Sequence, residues 1–326
     1  MKDKRYGLFR RITGPVIVLA LLALAVGNLQ AIGDYVRLYN YQPPAEIAAF
    51  ADETTMTDEA RKLYYVNHPK LADKQSFNDK CRSRGEKTIV LGCYHSVNRG
   101  IYLFDVKDER LKGVEQVTAA HEMLHAAYDR LSSKERKSID TQLQDFYDTQ
   151  VQDKRIRDTV AAYEQSEPND LTNEMHSIFA TEIAQLTPAL ESHYKRYFND
   201  RSKLVELAGT YQMEFISRQD QVRAMDARLK GLKEEIDENS AELKRREAEI
   251  SALQRQIEDD RQSGNIESYN ARVPVYNGMV DRYNELIRST QNSIAEYNRL
   301  VALRNDLALE VRELTRSIDS QLETIE

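Results

Sequence analysis

The stretch VEQVTAAHEMLHAAYDRL, Val114 to Leu131, brings Val114, Val117, Ala120, Leu124, Ala127 and Leu131 back at intervals of three and four. That is the period of an α-helix with one buried face, and a helix is expected here. His121 and His125 stand at i and i+4, so one face presents both imidazoles a single turn apart. Two nitrogens so placed reach one zinc ion at about 2.0 to 2.1 Å, and Glu122 stands where it can take a proton from water. Ala119, Ala120, Ala126 and Ala127 keep the helix slim around the histidines. The plainer alternative is a helix whose histidines only pack or pair.

Two short β-branched and aromatic runs precede this helix: KTIVLGCY, Lys87 to Tyr94, and GIYLFDV, Gly100 to Val106. The polar HSVNR between them suits a hairpin connection, so two antiparallel strands are predicted. Thr57, followed by Asp58 and Glu59, caps a helix that ends before Pro69. Tyr39 to Met56, with its paired prolines, reads as a linker or extended lead-in. Further helices are expected over Ser133 to about Gln152, Lys154 to Gln165 and Thr172 to Leu186, and another after Thr187-Pro188, where a cap residue precedes proline.

The chain has 326 residues, 30% of them charged, with 12 Gly, 7 Pro and no Trp, a balance that favours long helices. A net charge of −7 without a concentrated basic face argues against nucleic acid as a partner. Ile12 to Ile32 contains no ionisable residue, enough at 1.5 Å per residue to cross a hydrocarbon core of roughly 30 Å. Lys2, Lys4, Arg5, Arg10 and Arg11 precede it, so the positive-inside bias predicts a cytoplasmic N-terminus and an extracytoplasmic bulk. The alternative is a signal peptide cleaved near Ala25-Val26-Gly27. Outside the cytosol Cys81 and Cys93 can close a disulfide, worth about 3 kcal/mol. A metal site of these cysteines with His95 is the competing reading, disfavoured by the twelve-residue gap.

From Leu204 onward apolar residues fall into heptads through Ile257, with polar breaks at Arg218, Asn239 and Arg246. RQSGN, Arg261 to Asn265, is a turn signal. A second seam follows, in which Tyr269, Tyr276, Tyr283 and Tyr297 each precede an Asn. Arms of matching length predict an antiparallel coiled-coil hairpin folding back at Gly264, with pairing between two chains as the alternative. Pro274 must either start the second regular helix or kink it. The resulting division is 1–33 basic stub and membrane anchor, 34–56 linker, 57–200 metal-site domain and 201–326 coiled-coil hairpin, turning near 263–265.

On His121, Glu122 and His125, together with the strand Ile101 to Val106, residues 57 to about 200 resemble the zincin metallopeptidases. In that family an edge strand lies above the HExxH helix and the substrate chain adds to it. The resemblance implies an α+β zincin-like domain, here mainly helical with a small β-hairpin or sheet, that hydrolyses peptide bonds with Zn2+ and Glu122 as general base. Asp129 and Leu131 stand where the metzincin branch has its Gly and third His, so the third ligand is sought in a later helix, as in the gluzincin branch. LTNEMHSIFATE, Leu171 to Glu182, resembles the downstream Glu helix of that branch. Glu174 is the expected ligand, and Glu182 the alternative ligand or a partner to a ligating histidine. Ile178 replaces the branch's usual acidic residue. His176 is expected to be structural, and His193, Tyr194 and Tyr197 are candidates to steady an oxyanion or, more simply, core.

Two functions follow. One is a membrane-anchored extracytoplasmic zinc peptidase acting on a peptide or protein, its coiled coil serving a protein partner or a homo-oligomer. The other is a cell-envelope structural or partner-binding protein in which the hairpin does the work and the metal-binding domain is inactive.

Overall fold

The computed structural model describes residues 28–81, 89–97 and 99–321. They form two units, one of residues 28–211 and 318–321, the other of residues 212–317.

The first unit is mainly helical around a small sheet. Helix α1 spans Leu29–Leu38, α2 Ala45–Glu53 and α3 Asp58–Val66, with Thr57 capping α3 by accepting from the Ala60 amide at 3.2 Å. The stretch expected as a linker therefore holds a helix. Pro44 at its N-cap suits a helix start, and the following Ile47, Phe50 and Ala51 recur at three and four and bury in the core. Of the expected span Ile12 to Ile32, residues 12–27 lie outside the described residues and Leu29 to Ile32 open α1. Among the described residues no helix is long and apolar enough to cross a membrane.

The sheet has three strands in the order β1 (Lys70–Ala72), β3 (Gly100–Phe104), β2 (Gly92–His95). β2 and β3 form the expected antiparallel hairpin, pairing Gly92 with Leu103 and Tyr94 with Ile101. β1, which the sequence pattern did not announce, pairs parallel to β3 and makes it the central strand. Among the described residues the edge strands are therefore β1 and β2, and not the Ile101 to Val106 run on which the zincin resemblance drew. Between β1 and β2 lies α4, Lys74–Cys81, and a disulfide joins Cys81 to Cys93. The bond agrees with an extracytoplasmic setting and excludes these thiols as metal ligands.

Helix α5, Val114–Asp129, carries the histidines. Gly113 begins it at φ 101°, a conformation that favours glycine, and a Cβ there would also lie tightly, 3.0 Å from the Leu207 carbonyl oxygen. Helix α6 (Ser133–Thr149) opens with a Ser132/Glu135 capping box and is followed by α7 (Lys154–Ser166). Helix α8, Leu171–Glu182, is buried throughout Asn173 to Thr181 and packs against α5. Thr187 caps α9, Pro188–Tyr194, with proline in its first turn as expected. The first residues of helix α10, Arg201–Ser263, complete this core with Leu204 and Ala208.

The second unit is a helical hairpin of α10 from Gln212 onward and α11, Ile266–Ile318. Gly264 takes φ 74°, and the Asn265 amide returns to the Asp260 carbonyl at 2.9 Å, closing α10 with a Schellman turn. The arms pair within the chain: Arg218 meets Glu310 at 3.0 Å, Arg228 meets Glu296 at 3.0 Å and Ser293 Oγ donates to Glu235 at 2.7 Å. Pro274 lies inside α11, which has already begun at Ile266. Mid-hairpin, Thr290 and Ser293 are buried while Ile294 is 40% exposed. The buried contact there thus falls on Ser293 in place of its apolar neighbour Ile294, as a helix of 3.6 residues per turn drifts from a 3.5 repeat.

Candidate metal centre

Helices α5 and α8 pack side by side and bring together residues 49 positions apart in sequence. His121 Nε2 lies 3.5 Å from one oxygen of Glu174, and His125 Nε2 lies 3.5 Å from the other. The two imidazole rings are 4.7 Å apart between centroids, and the three ligating atoms lie within 4.8 Å of one another. A tetrahedral zinc with bonds of 2.0 to 2.1 Å holds neighbouring ligand atoms about 3.3 to 3.4 Å apart. The two 3.5 Å contacts run to different oxygens of Glu174 and come close to that spacing, while one atom from each residue is gathered within 4.8 Å, so binding would draw the three side chains together.

The electrostatics of the group agree with a cation. Glu174 is 6% exposed, and its Oε2 makes no well-formed hydrogen bond among the described residues beyond its 3.5 Å approach to His121 Nε2, a costly state for a buried carboxylate oxygen. Burial pushes Glu174 upward, yet His125 and His121 hold its carboxyl below the usual carboxylate value. Burial likewise pulls His125 down, but Glu174 and Glu122 outweigh it and keep the imidazole above its ordinary value. The carboxylate and the imidazoles thus favour positive charge between them, a field that a divalent ion would also satisfy. Two imidazoles and a carboxylate also form a donor set that suits zinc and leaves a fourth position for water.

Glu122, 5% exposed, faces the same cleft of about 460 Å3 and packs against the edge strand. A Cβ on Gly92 would lie 2.6 Å from Glu122 Oε1 and 2.6 Å from Thr118 Cγ2. Gly92 is therefore the space into which the Glu122 side chain fits. Its signal was present in the sequence, since a glycine inside a strand marks a close approach. Tyr94 and His95 carry β2 along the cleft wall, and Tyr163 and Asn173 line it from the helices. The Tyr94 hydroxyl is pushed up to about 12, first by burial and then by the Asp129 carboxylate it bonds.

Glu182 is not a member of the group: α8 turns it to an ion pair with Arg155. Two turns on from Glu174, it points around the helix by most of a right angle, and Arg155 on α7 takes it up. His176 is fully buried, with Nε2 at 2.9 Å from His193 Nε2. Tyr194 donates its hydroxyl to the His176 carbonyl at 2.8 Å, and Tyr197 is 1% exposed. None of His193, Tyr194 and Tyr197 lines the cleft, so the oxyanion role considered for them gives way to packing behind α8.

No family model matches the chain, and comparison with curated proteins and with solved structures finds no similar protein.

Proposed function

We propose that the protein is a membrane-anchored, extracytoplasmic zinc metallopeptidase of zincin-like organisation. The observation that carries this reading is the placement of His121 Nε2 and His125 Nε2 at 3.5 Å from opposite oxygens of Glu174, on the wall of an open cleft. His121, His125 and Glu174 would hold the metal. When bound, zinc supplies a Lewis acid that polarises an acyl carbonyl and acidifies a water.

The chain's own residues do the rest. Glu122, seated against Gly92, accepts the proton of the attacking water and passes it to the leaving amine nitrogen as the C–N bond breaks. β2 is an edge of its sheet and the one that lines the cleft, so an extended peptide can pair with its backbone and lie beside the histidines. The disulfide at Cys93 ties that strand to α4. Anchoring rests on the apolar run Ile12 to Ile32 and its basic flank, and export agrees with the disulfide.

The test pairs elemental analysis with peptide hydrolysis on the purified full chain. One zinc per chain is expected, and Glu122→Gln should keep that zinc while losing about 10² to 10⁴ in turnover. A wild-type chain that takes up no zinc from metal-replete buffer refutes the proposal.

A further inference from the structure

Helix α1 has two unlike faces. Asp34 on the inner face is 2% exposed and accepts from Arg130 Nη1 at 2.5 Å, Arg130 Nη2 at 3.0 Å and Arg99 Nη1 at 3.1 Å. Arg37, beside it, donates to the Val66 carbonyl at 2.6 Å and the Arg99 carbonyl at 2.7 Å. The outer face carries Leu29, Ile32, Tyr35, Val36 and Tyr39, exposed by 62, 47, 68, 65 and 64%. These five recur at three and four over three turns, so they form one continuous apolar stripe. Scattered exposed apolar residues need no explanation, but a helical stripe that turns its back on the core does.

What covers the stripe is indicated by the chain on either side of Asn28. Upstream, Ile12 to Gly27 is free of ionisable residues and ends directly at Asn28. Asn28 takes φ −117° and ψ 13°, outside helical geometry, so α1 begins after it. Two tyrosines stand on the outer face and an aspartate and an arginine on the inner, the division expected at the headgroup level of a bilayer.

We propose that α1 is an interfacial helix that seats its Leu29–Ile32–Tyr35–Val36–Tyr39 face in the headgroup–acyl boundary and docks the folded domain on the membrane. The inference rests on reading the upstream run as entering the bilayer and is independent of the zinc reading. Arg130 caps the C-terminus of α5, and His125 lies five residues before it, about 8 Å along the helix axis. The Asp34 clamp thus ties the helix that carries the candidate metal centre to α1.

The chain contains no Trp, so a single introduced indole reports its own depth. Four single variants of the full chain, Val18→Trp, Tyr35→Trp, Tyr39→Trp and Gln144→Trp, are reconstituted into phosphatidylcholine–phosphatidylglycerol vesicles containing brominated phosphatidylcholine. With the face about 5 to 10 Å into the boundary, shallow bromines should quench Tyr35→Trp and Tyr39→Trp about twofold, leaving Gln144→Trp, exposed on α6, unchanged. If Val18→Trp is quenched while Tyr35→Trp and Tyr39→Trp behave like Gln144→Trp, the interfacial helix is overturned and the anchor stands. If Tyr35→Cys instead cross-links two chains while Tyr35→Trp stays unquenched, a second copy covers the stripe and the inference fails. Absence of quenching at all four positions overturns the inference together with the span beneath it. Zinc content and hydrolysis play no part in these readouts, so the peptidase reading stands or falls separately.

Discussion

Gly92 and Glu122 occupy one space: the position of a Cβ on the edge strand lies 2.6 Å from the carboxylate oxygen of the residue between the two histidines. Gly92→Ala must displace Glu122 or Thr118, or lift β2 away from α5. The expected cost is about 1 to 3 kcal/mol of stability for overpacking. Turnover should fall by about 10²-fold, since a shift near 1 Å in a proton-transferring group has that effect. Zinc content should be unchanged, because both histidines and Glu174 lie outside the collision. Loss of zinc in Gly92→Ala, measured by elemental analysis beside the kinetics, would show that the strand supports the ligands instead.

Glu174 and Glu182 lie on the same helix with different partners, and metal binding should separate them. Glu174→Gln removes the carboxylate facing both imidazoles and should abolish stoichiometric zinc. Glu182→Gln breaks its pair with Arg155 and should leave zinc bound, with a modest loss of stability. Isothermal titration of zinc into the two metal-stripped variants reads the difference directly. Retention in Glu174→Gln with loss in Glu182→Gln would reverse the ligand assignment.

What the sequence disclosed was mostly local. The helical period around His121, the Thr57 cap, the Thr187-Pro188 start and the Gly264 turn each depend on residues within a few positions of one another, and each stands in the structure. The cysteine pair was legible because only two were present. α2 was obscured because its adjacent prolines read as a linker when one of them serves as the cap. β1, three residues long, has no period to detect, and it is β1 pairing with β3 that leaves β3 without a free edge. The choice of substrate-facing strand was therefore a tertiary matter. So was the fate of His193 and Tyr194, whose spacing on a helix is the same whether they face a cleft or a core.

The pair of buried His176 and half-buried His193 predicts a pH response. His193, pulled down to about 4 by burial and by the nearby Arg196, stands 2.9 Å from His176, itself held well below the ordinary value by burial. Between about pH 4 and the ordinary imidazole value near 6.5, the unfolded chain binds a proton that folded His193 declines. Stability therefore falls as pH drops through that window, by up to about 1.4 kcal/mol per pH unit for each such site. His193→Gln keeps a polar partner for His176 and removes one titration, so the slope should shrink by about one proton's worth. Urea unfolding across the window measures it. An identical slope in the variant would mean that His193 does not resist protonation.

The Asp34 clamp predicts an order among three substitutions. Asp34, with 4% of its side chain exposed, is the shared acceptor, Arg130 binds it through two nitrogens and Arg99 through one. Asp34→Asn leaves two guanidinium groups facing each other without a counter-charge. The cost should be about 3 kcal/mol, the lower end for breaking a buried pair, because the side chains of Arg130 and Arg99 remain 21 and 31% exposed. Arg130→Ala leaves the buried carboxylate with Arg99 alone and should cost nearly as much. Arg99→Ala removes one bond of three and keeps the bidentate pair, so its effect should be the smallest. Thermal unfolding of the three variants at neutral pH tests that ranking. If Arg99→Ala proves the most damaging, α1 is held by the Arg99 turn and not by the end of α5, and the fixed distance between α1 and the histidines no longer follows.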